Sequence, residues 1–213
     1  QKRVIMQLFR DKRCIGDIIL KSNIKNLFET DLEDFAIGAV VGEKKYLNDK
    51  YAHLSDLEKK NVRIVDDLSE LNSDERLILR SHGVGKDVYD TLDQIGNTYI
   101  DATCPFVARI HKIVEEQSKA GKIILIAGDK NHPEVEGIVK HCNGECFVFA
   151  DDEELKRIFK KNLDFLGKKV AIVAQTTYNI IVWNKCMSII PDTYKNVSEI
   201  FQTICNATST RQT

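Results

Sequence analysis

Four residues that can bind metals or anions each follow a short apolar run: His82, Cys104, His132 and Cys205. If these runs are strands of an α/β protein, the four side chains lie beyond strand carboxyl ends and beside helix N-termini, where ligands bind. A helix N-terminus also favours the thiolate, the form of cysteine that ligates metals and attacks electrophiles. Cys104 and Cys205 are therefore candidate ligands or nucleophiles, with a buried small side chain as the alternative. For His82 we weigh a donor to an anionic group against a histidine that caps a turn.

A carboxyl group follows His132 in the predicted first turn of a helix. Pro133 fixes the helix start, which leaves His132 at the mouth of the helix and Glu134 just inside it. Both side chains can then face one ligand, and a carboxyl group beside a reacting alcohol can relay protons as a general acid. The alternative for Glu134 is an acidic residue that only complements the helix dipole. Thr176 supplies a hydroxyl after another apolar run, where the alternative is a polar turn with a helix cap.

The segment 141–146 contains one histidine and two cysteines, His141, Cys142 and Cys146. Clustered histidine and cysteine can bind zinc, but this spacing has no matching second pair of ligands. We therefore predict a glycine-containing turn that precedes a strand. Cys186 lies in an apolar helical segment and is predicted to be a core residue.

Short apolar runs alternate with helical patterns along the chain. The runs have strand length and little alternation, as expected of parallel strands covered on both faces; they are 62–65, 77–79, 98–100, 123–127, 147–149, 170–174 and 197–201. The segments with helical periodicity are 84–95, 105–120, 133–141, 151–159 and 179–190. This order of elements predicts an α/β fold whose small, mostly parallel sheets are flanked by helices.

Similar junctions recur along the chain. A strand, a histidine and a helix follow one another at 77–84 and again at 124–135, and a strand, a cysteine and a helix start do so at 100–104 and at 201–208. Cys104 lies 90 residues after Cys14 and 101 residues before Cys205. Cysteines at these near-domain intervals suggest homologous lobes around a common centre.

The composition excludes several classes of protein. The 213 residues are 43% hydrophobic and 30% charged, unlike disordered or low-complexity chains. With 31 basic and 32 acidic residues, the chain lacks the positive field that non-specific nucleic-acid binding needs. No apolar run approaches the roughly 18 residues that cross a bilayer, and the N-terminal residues do not resemble a secretory signal. We expect a cytoplasmic protein without nucleic-acid or membrane partners, or a plastid protein in a photosynthetic eukaryote.

Five motifs closely resemble the LytB/IspH family, the 4-hydroxy-3-methylbut-2-enyl diphosphate reductases. They occur in the family's order between Leu77 and Gln212, at 80–84, 101–107, 132–137, 175–177 and 203–212. The resemblance implies a reductase that removes the allylic hydroxyl of this diphosphate with two electrons and protons. Its products are isopentenyl and dimethylallyl diphosphate, and its electron donor is a ferredoxin or flavodoxin system. The implied pathway is the methylerythritol phosphate route to isoprenoids.

The resemblance also implies a three-lobed, pseudo-threefold architecture around a 4Fe-4S cluster. Three cysteines, one from each lobe, hold the cluster and leave one iron open for the substrate oxygen. Cys104 and Cys205 match the family's ligand motifs directly, and Cys14 is the expected third ligand.

The same resemblance gives roles to four other residues. His82 and His132 are expected to bind the diphosphate. Glu134 is expected to feed protons to the departing hydroxyl, and Thr176 to orient that hydroxyl.

The chain departs from the family pattern at both ends. Around Cys14 the sequence is Arg13-Cys14-Ile15-Gly16, where the family has Gly-Phe-Cys, and no histidine occupies 47–51, where the family has a His-Asn pair. We predict lobes at 1–103 and 104–204, with 205–213 as the start of a third lobe that is otherwise missing. One alternative is therefore a non-catalytic or truncated relative that binds diphosphates or has a regulatory role. A generic thiol or zinc enzyme is a further alternative.

Overall fold

The computed structural model describes residues 37–41, 63–65, 67–72, 75–161, 168–190 and 198–205. The predicted ligand Cys14 and the segment 47–51 lie outside these residues. The chain divides into two compact units, Gln1–Pro105 and Phe106–Thr213. The predicted third lobe stays a prediction.

The first unit contains a four-stranded parallel sheet. Its strands are β1 (Ile37–Val41), β2 (Arg63–Val65), β3 (Arg76–Leu79) and β4 (Tyr99–Asp101), in the spatial order β2-β1-β3-β4. A 3-10 helix (Leu68–Glu70) lies between β2 and β3, and helix α1 (Lys86–Ile95) lies between β3 and β4. Among the described residues of this unit, Val65, Leu77, Leu79, Val84 and Leu92 form a buried apolar cluster. A parallel strand pair needs a crossover connection, and α1 provides the one between β3 and β4.

The second unit contains a second four-stranded parallel sheet. Its strands are β5 (Ile123–Ala127), β6 (Cys146–Phe149), β7 (Val170–Ala174) and β8 (Ser198–Ile200), in the order β6-β5-β7-β8. The helices are α2 (Pro105–Lys119), α3 (Pro133–Lys140), α4 (Asp152–Lys161) and α5 (Ile180–Ser188). Among the described residues of the whole chain, no helix is long and apolar enough to cross a membrane.

Helices cover both faces of this second sheet. Every residue of β5 and β7 is buried. Ile124 and Ile126 pack on one face with residues of α2 and α3, whereas Ile123 and Leu125 pack on the other with residues of α4 and α5. Because both faces are apolar, the two strands show no alternation in sequence.

The predicted fold class is confirmed, with one strand missed. The strand β1 pairs with both β2 and β3 and so lies inside the first sheet. Its sequence begins Ile37-Gly38-Ala39, and glycine and alanine are depleted in strands, which weakens the apolar signal.

The strand orders of the two sheets match, so that β1 to β4 correspond to β5 to β8. The cysteine junctions therefore come from corresponding strands, β4 and β8, as predicted. The predicted recurrence of a strand, a histidine and a helix is also present, with His82 after β3 and His132 after β5, but these two strands do not hold corresponding places in their sheets. In sheet order, β3 corresponds to β7.

Candidate functional site

Glu134 and Thr176 are joined by two short hydrogen bonds in the second unit. Glu134 lies in the first turn of α3, and Thr176 lies two residues past the end of β7. The backbone N–H of Thr176 donates to Oε1 of Glu134 at 2.6 Å, and its hydroxyl donates to Oε2 at 2.8 Å. Glu134 is 2% exposed and Thr176 is 7% exposed. The pair therefore forms a buried polar group at the carboxyl ends of two neighbouring strands.

Opposing influences act on the Glu134 carboxyl group. Burial raises its pKa above 4.5, while the two hydrogen bonds from Thr176 lower it. Burial has the larger effect, because loss of water disfavours the charged form. The carboxyl group therefore holds its proton to a higher pH than an exposed glutamate does.

His132 caps the same helix from its N-terminal side. Its ring Nδ1 accepts a hydrogen bond from the backbone N–H of Glu134 at 3.1 Å. In the neutral imidazole one ring nitrogen accepts and the other carries the hydrogen. The neutral ring therefore has its hydrogen on Nε2, which makes that atom the donor. Pro133 has no backbone N–H, but it costs the helix no hydrogen bond because an N–H in the first turn has no partner within the helix.

Gln175 holds together the loops that carry these residues, a role that its local sequence does not predict. Its side-chain Oε1 accepts the N–H of Asp129 at 3.3 Å, and its Nε2 donates to the Thr177 hydroxyl at 3.0 Å. Its own N–H donates to the carbonyl of Ala127 at 2.8 Å. The loop after β5 is thereby tied to the loop after β7. Gln175 is only 5% exposed, and this burial becomes evident only once the fold is known.

Gly128 lets these loops approach each other. A Cβ atom at this position would lie 2.7 Å from Cγ2 of Val135 and 3.1 Å from Oε1 of Gln175. Both distances are shorter than ordinary van der Waals contact. The absence of a side chain at Gly128 is therefore a requirement of the packing.

Cys205 reaches Thr176 because the chain continues alongside β7 after β8 ends. The N–H of Phe201 donates to the carbonyl of Ile172 at 2.9 Å, and the N–H of Cys205 donates to the carbonyl of Thr176, also at 2.9 Å. Between them, the Thr203 hydroxyl accepts the N–H of Ala174 at 2.8 Å and donates to its carbonyl at 2.6 Å. Cys205 is buried beside the Glu134–Thr176 pair.

Cys104 takes the corresponding position in the first unit. Its N–H donates to the carbonyl of Ser81 at 2.9 Å, and Ser81 lies two residues past the end of β3. The half-buried His82 follows Ser81 in the same turn, which Arg80 closes by donating from Nε to the carbonyl of Gly83 at 3.1 Å. Gly83 has φ 76°, a conformation that glycine adopts without steric cost.

The loop that carries Cys104 is anchored through Asp101. Its carboxylate accepts the N–H of Thr103 at 2.9 Å and the hydroxyl of Tyr89, from α1, at 2.9 Å. Burial raises the pKa of Tyr89 to about 12, and the nearby Asp101 charge adds to the effect. The tyrosine therefore remains a hydrogen-bond donor across the physiological pH range.

The donor set at the two cysteine positions fits an iron-sulfur cluster, whose protein ligands are thiolates. Cys104 and Cys205 form no disulfide and have matching backbone hydrogen bonds at the ends of corresponding strands. Within the part of the chain that the structure describes, no three His, Cys, Asp or Glu side chains are grouped to hold a metal ion. Cys14 lies outside that part.

The predicted site residues thus fall into two groups. His132, Glu134, Thr176 and Cys205 come together in the second unit, and His82 and Cys104 lie in neighbouring loops of the first. Their chemical roles stay predictions. Cys186 is a buried core residue, as predicted.

Comparisons with known proteins agree on one family. The family model described as LytB protein matches residues 38–213. The 4-hydroxy-3-methylbut-2-enyl diphosphate reductase of Campylobacter hominis is 41% identical over 174 residues, which are 82% of this chain and 60% of that relative. The enzyme of the same name from Caldanaerobacter subterraneus is 42% identical over 161 residues, which are 75% and 54% of the two chains. The chain thus spans little more than half the length of these relatives.

Solved structures give the same result. A structure of (E)-4-hydroxy-3-methyl-but-2-enyl diphosphate reductase, described as the terminal enzyme of the non-mevalonate pathway, is 28% identical with a TM-score of 0.68. That similarity covers 91% of this chain and 65% of the other. The corresponding reductase of Plasmodium falciparum, 24% identical with a TM-score of 0.69, shares the fold over 92% of this chain and 58% of its own. The chain belongs to the LytB protein family.

Proposed function

We propose that the chain carries much of the reaction centre of a 4-hydroxy-3-methylbut-2-enyl diphosphate reductase. The observation that carries this proposal is the hydrogen-bonded series from Glu134 through Thr176 to Cys205, which links a candidate acid, a hydroxyl and a candidate thiolate ligand. In the proposed reaction, two electrons and two protons replace the allylic C–O bond with a C–H bond and release water. The products are isopentenyl and dimethylallyl diphosphate, and the diphosphate group is unchanged.

We propose a 4Fe-4S cluster as the cofactor, with Cys14, Cys104 and Cys205 as its thiolate ligands. The matching hydrogen bonds of Cys104 and Cys205 support this assignment. When bound, such a cluster would pass electrons from the donor to the substrate and act as a Lewis acid. The chain itself supplies the ligands, the orientation of the substrate and the protons.

Glu134 is the proposed source of a proton. Burial raises its pKa, so the carboxyl group is protonated over a wider pH range than usual. A proton on Oε2 lies on the atom that meets the Thr176 hydroxyl at 2.8 Å. Thr176 Oγ1 can accept this proton while passing its own to a departing hydroxyl, which becomes water. Thr176 thereby both orients the leaving group and conducts the proton.

The diphosphate is proposed to bind through His132 and His82. Nε2 of His132 carries the donor hydrogen, since Nδ1 is occupied by the N–H of Glu134. The N-terminus of α3 adds a partial positive charge beside this ring. These groups suit a ligand with several negative charges.

The remaining proposals concern partners and location. We propose a ferredoxin or flavodoxin system as the electron donor, since the chemistry needs a source of low-potential electrons. We propose a reducing compartment, the cytoplasm or a plastid, because cluster ligands must remain thiols.

The test is reconstitution of the chain with iron and sulfide in the absence of oxygen. Iron per chain, binding of the diphosphate and its reductive turnover with a low-potential donor are then measured separately. The proposal expects a bound cluster and release of both isomeric products. Diphosphate binding without turnover in the cluster-loaded protein would favour the binding module, and zinc in place of iron would favour the zinc enzyme.

A further inference from the structure

The turn between α3 and β6 holds two thiols in contact. Cys142 lies just after the end of α3, and Cys146 is the first residue of β6. Their thiol groups are hydrogen-bonded to each other, and both residues are partly exposed. The proposed reductase chemistry uses neither of them. A thiol pair that is both in contact and accessible has the arrangement needed for disulfide formation.

Both ends of this turn are fixed by the fold. The N–H of Cys142 donates to the carbonyl of Val139, in the last turn of α3, at 3.0 Å. Cys146 is paired with Ile124 of the central strand β5. The N–H of Asn143 donates to the Ser118 hydroxyl of α2 at 3.0 Å, which holds the turn against a third element. The fold therefore holds the two cysteines at the two ends of one short turn.

We propose that Cys142 and Cys146 form a redox-active dithiol that peroxide oxidises to an intramolecular disulfide. Cys142 is the residue that attacks, because its thiolate can accept a hydrogen bond from the Cys146 thiol. This contact is the main cause that lowers the pKa of Cys142 to about 6, and it raises the pKa of Cys146. Cys146 is then the thiol that resolves the oxidised intermediate.

The chemistry balances with hydrogen peroxide as the oxidant. The Cys142 thiolate attacks one peroxide oxygen, the O–O bond breaks, and the released hydroxide takes up a proton to form water. Cys142 becomes a sulfenic acid. The sulfur of Cys146 then attacks the sulfur of Cys142, an S–S bond forms, the S–O bond breaks, and the proton lost from Cys146 leaves with the hydroxide as a second water. A dithiol reductant reverses the reaction by exchange.

The buried Cys186 provides an internal control. It is completely buried, and burial raises its pKa. Its sulfur lies 4.0 Å from the Tyr178 hydroxyl. Peroxide should therefore reach and oxidise it far more slowly than Cys142.

The experiment treats the reduced, full chain with hydrogen peroxide, alkylates the remaining thiols and digests the protein with trypsin. Cleavage after Lys140 and Lys156 leaves both cysteines in the peptide 141–156, whereas Cys186 falls in the separate peptide 186–195. We expect the first peptide to lose two hydrogen atoms and to resist alkylation. We expect this change at least about tenfold faster than any oxidation of Cys186.

Two variants identify the attacking thiol. Cys146→Ser should accumulate a sulfenic acid at Cys142, captured by dimedone, whereas Cys142→Ser should give at least about tenfold less label at Cys146. Equal labelling of the two variants would overturn the proposal. So would a wild-type peptide that gains oxygen in place of losing hydrogen, or one that becomes linked to another cysteine peptide. Peptide mapping of the peroxide-treated wild-type protein tests for the disulfide even where a variant does not fold.

Discussion

The carboxyl group of Glu134 is held by one neighbour, Thr176, through both of its oxygens. The Thr176 N–H and hydroxyl meet Oε1 and Oε2 at 2.6 and 2.8 Å, in a site with almost no exposure to water. Two donors at these distances favour the carboxylate, yet loss of solvent outweighs them and raises the pKa. A buried acid that is oriented and inclined to keep its proton is suited to proton donation.

The raised pKa of Glu134 predicts a definite dependence of stability on pH. The folded state binds this proton more tightly than the unfolded state, so it is penalised once pH exceeds 4.5, the ordinary value for the group. As pH rises from 4.5 through the raised pKa, the wild-type free energy of unfolding should fall relative to that of Glu134→Gln. Urea unfolding of both proteins at a series of pH values measures the difference. A difference that grows in favour of the wild type as pH rises would contradict the prediction.

The same variant tests the proton-donor role. Glu134→Gln retains the shape of the side chain but cannot release a proton, so turnover of the cluster-loaded protein should fall by about 100-fold or more. Glu136→Gln is the matched control, because Glu136 is an exposed glutamate in the same helical turn, and it should retain full turnover. Initial rates at equal iron content provide the comparison. Similar losses in both variants would rule out a specific role for Glu134.

Residue types and spacing were enough to identify His132, Glu134, Thr176, Cys104 and Cys205 as candidates, because each follows a readable strand or begins a readable helix. They were not enough for Gln175 and Thr203. The side chains of these two residues bond to Asp129 and Ala174, which are 46 and 29 residues away in the chain. Such bonds depend on which strands become neighbours, and no local pattern encodes that.

At the scale of elements, the segment after β8 positions Cys205. It continues the alignment with β7 through Phe201, Thr203 and Cys205, although regular strand pairing ends at Ile200. The Thr203 hydroxyl acts as both acceptor and donor toward Ala174, so one side chain replaces a pair of backbone hydrogen bonds. This contact lies two residues before the candidate ligand.

Removal of the Thr203 hydroxyl should therefore weaken both the fold and the cluster. Thr203→Val preserves the side-chain shape but leaves the N–H and carbonyl of Ala174 without this partner. We expect the free energy of unfolding to fall by about 1–3 kcal/mol. Bound iron should also fall, because Cys205 loses its alignment. Denaturant unfolding and iron analysis measure the two effects, and Thr203→Ser, which retains the hydroxyl, should behave like the wild type.

Gly128 gives a second test of how the elements approach each other. In Gly128→Ala the new Cβ would meet Val135 at 2.7 Å, so α3 or the loop after β7 must shift. We expect a loss of about 1–3 kcal/mol in the free energy of unfolding. Gly144→Ala is the control, since a Cβ there meets nothing within 4 Å. Thermal unfolding of the two variants should separate them clearly, and equal midpoints would contradict the packing argument.

Most of the strands and helices could be predicted from the sequence. The bounds of β5 and β7 were predicted to the residue, since both are continuous apolar runs buried on both faces. The missed strand β1 contains two small residues, and its place between β2 and β3 depends on pairing with segments far along the chain. Likewise, β3 corresponds to β7 and not to β5, and only the order of strands in the two sheets shows this.

At the scale of the whole molecule, the two units repeat one strand order and one cysteine position. Each cysteine donates its N–H to the carbonyl of the second residue past a neighbouring strand, Ser81 in one unit and Thr176 in the other. Thr176 also holds the buried carboxyl group of Glu134.

A single cluster that needs both cysteines predicts a specific pattern of iron loss. Cys104→Ser and Cys205→Ser should each remove most of the bound iron, and the double variant should lose no more than either alone. Separate iron sites in the two units would instead give losses that add. Iron per chain after anaerobic reconstitution decides between the two patterns. Cys186→Ser serves as the control because that thiol lies in the core.

The complete burial of β5 has a consequence for synthesis on the ribosome. Its partner in β7 begins at Val170, 47 residues after Ile123. At about 5–20 residues per second, the five apolar residues of β5 must wait about 2–10 s for that neighbour to be made. During this interval they form an uncharged, strand-forming segment that can join its counterpart on another nascent chain. Production should therefore favour soluble protein when chaperones that cover such segments are in excess.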